Sequence, residues 1–134
     1  MNRHEYNELV ELLYEHVMGV NADTAAVDLI AHHGVWLGRS DFAPFLKHGR
    51  CPSTGEPTAA IRWRAAHTAL QRGQLPCSGS EADVLRICAS LGAGIPVNLR
   101  HVLGNLDHRN IAHVIRAIGI ANNTWPLPST KDIL

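Results

Sequence analysis

Apolar residues recur at intervals of three and four along most of the chain, a spacing that gathers them on one face of a helix. The stretch from Ser78 to Ala121 carries the pattern most fully. Ser78-Gly79-Ser80-Glu81 has the form of a capping box, in which the serine accepts from an early amide and the glutamate reaches back. Val84, Ile87, Cys88 and Leu91 follow at helical spacing until Gly92 and Gly94 stop them. Pro96 precedes a short periodic piece containing Leu99, Val102, Leu103 and Leu106. Asp107 is placed to cap a last helix, whose buried stripe reads as Ile111, Val114, Ile115 and Ile118. Three linked helices are expected here. Truncation of Ile87 or Ile115 to Ala should then cost roughly 2 to 4 kcal/mol.

The same period runs through the first half. Tyr6, Leu9, Val10, Leu13 and Val17 predict an amphipathic helix over residues 4–19, with glutamates toward its first turns. Asn21 is read as the cap of a second helix carrying Ala26, Leu29, Ile30 and His33, ended by Gly34. Ser40-Asp41 opens a short helix with Phe42, Phe45 and Leu46, and the Gly, Pro, Ser and Thr residues from His48 to Pro57 predict an irregular loop. Helix is expected again over 58–72, closed by Gly73 and Pro76. No segment alternates with a period of two. The expected fold is all-α, an irregular bundle of five to seven helices over residues 1–121, followed by an extended or disordered tail from 122 to 134.

Composition narrows the class. With 46% apolar and 18% charged residues among 134, the chain can bury a real core as one domain. No run approaches the roughly 20 apolar residues that cross a bilayer, and the glutamate-rich start lacks the form of a signal peptide, so a cytoplasmic location without membrane partners is expected. Cys51, Cys77 and Cys88 lack CxxC spacing and cannot all pair. Formal charge is zero but uneven: seven acids face two arginines in residues 1–41, and ten bases face five acids in 42–134, giving −5 and +5. That polarity fits a basic binding face, packing between the halves, or self-association of the chain.

Candidate chemistry is sparse. Phosphate loops, dinucleotide fingerprints, GxSxG and HExxH are all missing, so neither catalytic residues nor a cofactor is expected. His48-x-x-Cys51 is only half a zinc spacing, and no metal is expected either. Cys77 precedes a helix start and is read as a structural or weakly reactive thiol; the competing reading, a thiol activated by the helix N-terminus, predicts its alkylation before Cys51 and Cys88. Residues around Gly104 resemble a helix-turn-helix, which would present His108, Arg109, His113 and Arg116 to DNA; the register of Arg100, Asn105 and Asn110 fits that motif poorly. The favoured reading is a non-enzymatic protein that binds a protein partner through Trp36, Arg39, Arg62, Trp63 and Arg64, because tryptophan and arginine dominate interface hot spots. The competing reading of the two tryptophans is that they close the core.

Four short blocks carry a likeness: His33-Gly34-Val35-Trp36-Leu37-x-Arg39-x-Asp41-Phe42, Leu75-Pro76-Cys77-Ser78-Gly79-x-Glu81 with Leu85-Arg86-Ile87, Gly94-Ile95-Pro96-Val97-x-Leu99-Arg100, and Gly104-x-Leu106-Asp107-x-x-Asn110. Over residues 25–121 the chain resembles a family of small, uncharacterised actinobacterial proteins of bacterial and mobile-element origin. Ser80 stands where that family often has a second glycine, which weakens an anion-binding Gly-Gly turn. The resemblance implies a bacterial cytoplasmic setting and transfers no catalytic residue.

Overall fold

The computed structural model describes residues 1–126, so the expected tail falls largely outside the described residues. Asn2 and Glu5 close a capping box at the start of α1 (Arg3–Val17), which turns Leu9 and Leu13 inward. α2 (Asn21–His33) begins one residue earlier than a cap at Asn21 requires; Val20 is the capping position and offers no side-chain bond. Gly34 ends α2 at φ 74°, the left-handed conformation that glycine adopts without cost. Residues 25–30 of α2 are all buried, Asp28 among them.

A 3-10 turn, Ala43–Phe45, leads into the one departure from helix among the described residues. β1 (Leu46–Arg50) pairs antiparallel with β2 (Pro57–Ile61), Leu46 opposite Ile61 and Arg50 opposite Pro57. The sequence predicts an irregular loop over 48–57 and helix from 58; both are corrected. The Pro, Ser, Thr and Gly residues make only the tip, where the Cys51 amide donates to the Glu56 carbonyl and the Gly55 amide to that of Cys51, both at 2.8 Å. The strands escape a sequence reading because β1 is almost wholly solvated and β2 fully buries only Ala59, leaving no alternation to read. Pro57 is tolerated at the start of such a strand. The chain is therefore mostly helical with a small sheet.

α3 (Trp63–Gln71) starts after the Arg62 amide bonds the Phe45 carbonyl at 2.8 Å. The Ser78–Glu81 box opens α4 (Gly79–Ala93), α5 (Leu99–Gly104) is short, and Asp107 caps α6 (His108–Ala121), as the sequence indicates. α2 packs against α4 and α6 and α3 against α4, while β2 lies on α1. One apolar cluster spans all of them.

The inward face of α6 is not the expected one. Val114, Ala117 and Gly119 are buried, whereas Ile115 and Ile118 are 44% and 52% exposed. A step of one residue rotates a helix by about 100°, so Val114 and Ala117, three positions apart, turn inward while Ile115 and Ile118, each the next residue, turn toward solvent. Ile87 stays in the core. Ile87→Ala should therefore cost about 2 kcal/mol or more, and Ile115→Ala should fall within about 0.5 kcal/mol of wild type in urea unfolding. Equal losses would place Ile115 inside after all.

Candidate functional site

The five residues expected to form a partner surface do not share one. Trp36 is fully buried, its indole N–H donating to the Glu81 carbonyl at 3.0 Å, and it fastens the segment after α2 to the start of α4. Arg39 lies over the Trp36 ring at 4.6 Å, donates from Nε to Asp41 at 2.8 Å and from Nη2 to the Pro76 carbonyl at 2.7 Å. The arginine holds the Asp41 carboxyl below its usual range. Trp63 is buried against Gly92 of α4, where an added Cβ would come within 2.3 Å of the indole. Arg64 donates to the Ala93 carbonyl at 3.0 Å. Trp36 and Trp63 thus close the core, and Arg62 and Arg64 remain as solvent-facing charges.

The four DNA candidates divide in the same way. His108 and Arg109 are exposed in the first turn of α6. Arg116 is taken by an ion pair, its Nε 3.1 Å from Asp28 Oδ2, and His113 is half-buried with Nε2 enclosed and unpartnered. Asp28 is the centre of a polar knot that the sequence conceals. It accepts from the Tyr14 hydroxyl at 2.9 Å and from Arg116, and stands 3.4 Å from His32 Nδ1, which also lies 2.8 Å from the Asp28 carbonyl. Burial, with the nearby carboxylate, pushes the Tyr14 hydroxyl well above its ordinary value. The His32 ring lies 5.6 Å from that of His113. Flanked by Val27 and Leu29, Asp28 reads as an outward charge; the one available signal is its i, i+4 relation to His32. Asp83 repeats the arrangement on α4, bonded by Arg86 Nη1 at 2.8 Å and Asn105 Nδ2 at 3.2 Å.

Beside the knot, the N-terminal turns of α1 and α6 and the end of α2 enclose a cleft of about 530 Å³, lined by Arg3, Tyr6, Asn7, His32 and Arg109 among others. The Tyr6 hydroxyl donates to the Ala31 carbonyl at 2.7 Å and fixes that wall. No protein-family model matches this chain, and no curated protein or solved structure matches it either.

Burial lowers the pKa of both His33 and His113 from 6.5, and each has an enclosed, unpartnered ring nitrogen. Between 6.5 and the depressed folded values the unfolded chain binds more protons, so the stabilisation is complete above about pH 6.5 and drains away below it. The melting midpoint should fall from pH 7.5 to 5.5, and less steeply in His33→Gln/His113→Gln; identical slopes would dismiss these rings as the cause.

Thiol reactivity falls on Cys51 rather than Cys77. Burial raises the Cys77 thiol, and the Glu81 charge adds to it; burial likewise raises Cys88. Cys51, at the hairpin tip, is lowered to about 6 by hydrogen bonding, first from the Ser53 hydroxyl 3.2 Å away. Iodoacetamide at pH 7 should therefore modify Cys51 before Cys77 and Cys88, the opposite of the order that an activated Cys77 predicts. Peptide mass spectrometry reads this directly, and Ser53→Ala should slow it. Among the described residues, no group of three or more His, Cys, Asp or Glu side chains is placed to hold a metal.

Proposed function

We propose that this chain is a non-enzymatic interaction protein that works through protein–protein contacts in the bacterial cytoplasm. The observation that carries the reading is apolar surface left open on the last two helices and the residues after them: Leu99, Leu103, Ile115, Ile118 and Trp125 are 37 to 56% exposed. Ile115 and Ile118 stand one turn apart with half-buried Ile111 in line, so three isoleucines share a face of α6. Grouped apolar exposure of this kind characterises contact surfaces more than solvated ones. The contact therefore centres on α6, and the tryptophans hold the scaffold behind it. The resemblance to small actinobacterial proteins supports the bacterial setting, and no helix among the described residues is long and apolar enough to cross a membrane.

A DNA-binding role is the alternative, favoured by the exposure of His108 and Arg109 at the end of α6 that a helix-turn-helix would insert. Affinity capture from nuclease-treated lysate separates the two. Ile115→Glu/Ile118→Glu should abolish capture of a defined protein while leaving the helical circular dichroism intact, and Arg62→Glu/Arg64→Glu should spare it. Capture lost only with the arginine pair moves the surface to α3. Binding to mixed genomic fragments that weakens steeply with salt and disappears in Arg109→Ala would instead establish the DNA role.

A further inference from the structure

We propose that the cleft between α1, the end of α2 and the first turn of α6 binds a small molecule bearing a phosphoryl group. Its volume of about 530 Å³ falls within the roughly 300–1,000 Å³ of ordinary small-molecule sites and greatly exceeds what a bare ion needs. Arg3 from α1, His32 from α2 and Arg109 from α6 reach it from three elements, and no carboxylate among the described residues lines it.

Five of the ten arginines are taken up within the protein, and of the other five only Arg3 and Arg109 line this cleft. Arg39, Arg50, Arg64, Arg86 and Arg116 are each engaged by a carboxylate or carbonyl of the protein. Arg3 and Arg109 form no ion pair among the described residues. Two guanidinium groups without a carboxylate partner among the described residues therefore face one cavity. The acids at the starts of α1 and α6 are engaged locally: Glu5 is held to Asn2 in the capping box of α1, and Asp107 caps α6 by accepting from the Asn110 amide at 2.8 Å. That box engages the Asn2 and Glu5 amides, and the guanidinium and imidazole side chains supply the contacts from all three elements.

His32 is oriented for the task. Its Nδ1–H donates to the Asp28 carbonyl at 2.8 Å, and the buried Asp28 carboxylate lies 3.4 Å from the same nitrogen, so the ring is held in one orientation. That leaves Nε2 as its second site for a ligand. Donors from three directions suit a tetrahedral phosphoryl group, with three outer oxygens, better than a planar carboxylate with two. Asn7 and the Tyr6 wall bound the remaining volume, which is left for the rest of the ligand.

Titration of the full chain with inorganic pyrophosphate, followed by amide NMR, tests the proposal. Saturable shifts should centre on residues 3–7, 31–34 and 109, and Arg3→Gln/Arg109→Gln should weaken binding at least tenfold with an unchanged melting midpoint. Arg62→Gln, which alters an exposed cation outside the cleft, should leave affinity within twofold. Succinate should bind at least tenfold more weakly. Shifts that do not saturate, or that spread evenly to Arg62, Arg72 and Arg100, would overturn the site. Equal affinity for succinate would overturn the phosphoryl assignment. Both readouts are independent of any protein partner of α6.

Discussion

Trp36→Ala should lower stability by about 3–5 kcal/mol, the range for deleting a large buried aromatic, and bring the melting midpoint down by roughly 10 to 20 °C. Two losses combine. The indole is fully enclosed and lies tilted against Phe42 with ring centres 5.8 Å apart, so its removal opens a cavity between the segment after α2 and the start of α4. Its N–H also bonds the Glu81 carbonyl, and Arg39 is braced over its face. Trp36→Phe should cost much less, about 1 to 2 kcal/mol, because a ring still fills most of the site and the Glu81 carbonyl keeps its partner within α4. Had Trp36 been a contact residue, the Ala variant would melt like wild type and lose only its partner. Urea unfolding of the two variants decides between these outcomes.

What can be read from the sequence depends on whether a local signal is large compared with its surroundings. The Ser78–Glu81 box, the Asp107 cap and the Gly34 and Gly94 stops are legible because each acts within one helical turn. The Leu9–Leu13 face is legible because glutamates mark the opposite side. The hairpin is not, since a ribbon that buries one alanine has no period. The face of α6 is misread because Ile115 and Ile118 outweigh the buried Ala117 in any reading of hydrophobicity. The Trp36–Glu81 bond and the Asp28–Arg116 pair join residues 45 and 88 positions apart, which no local pattern encodes.

The cleft is hidden for the same reason. Arg3, His32 and Arg109 are separated by most of the chain, and they meet because α2 lies against both α1 and α6. The formal charge split between halves also changes meaning. Part of the negative first half is matched within the core, since Asp28 on α2 is compensated by Arg116 on α6. The uneven charge thus reflects, in part, how the two halves are held together, and the cationic surface left over is smaller than the formal imbalance implies.

Arg116→Glu should be the most damaging single charge change, at least the roughly 3–5 kcal/mol that follows when one partner of a buried pair is removed. Asp28 is 2% exposed and lies at the contact of α2 with α6, so its charge depends on Arg116 and the Tyr14 hydroxyl for compensation. Arg116 itself is 39% exposed, and Arg116→Ala should cost less, because water can partly replace the lost guanidinium. Glutamate removes that compensation and adds a second carboxylate facing the first. Asp28→Asn in the same chain should restore more than half of the loss, since the amide can donate to the introduced carboxylate where the aspartate repelled it. That recovery measures the coupling directly. If the arginine served instead as a phosphate contact to DNA, Arg116→Glu would leave the melting midpoint unchanged and lower only the salt-dependent affinity, with no rescue by Asp28→Asn. Thermal melts of the wild type, the single and the double variant at pH 7.5 therefore separate a residue that holds α6 to α2 from one that reads a nucleic acid.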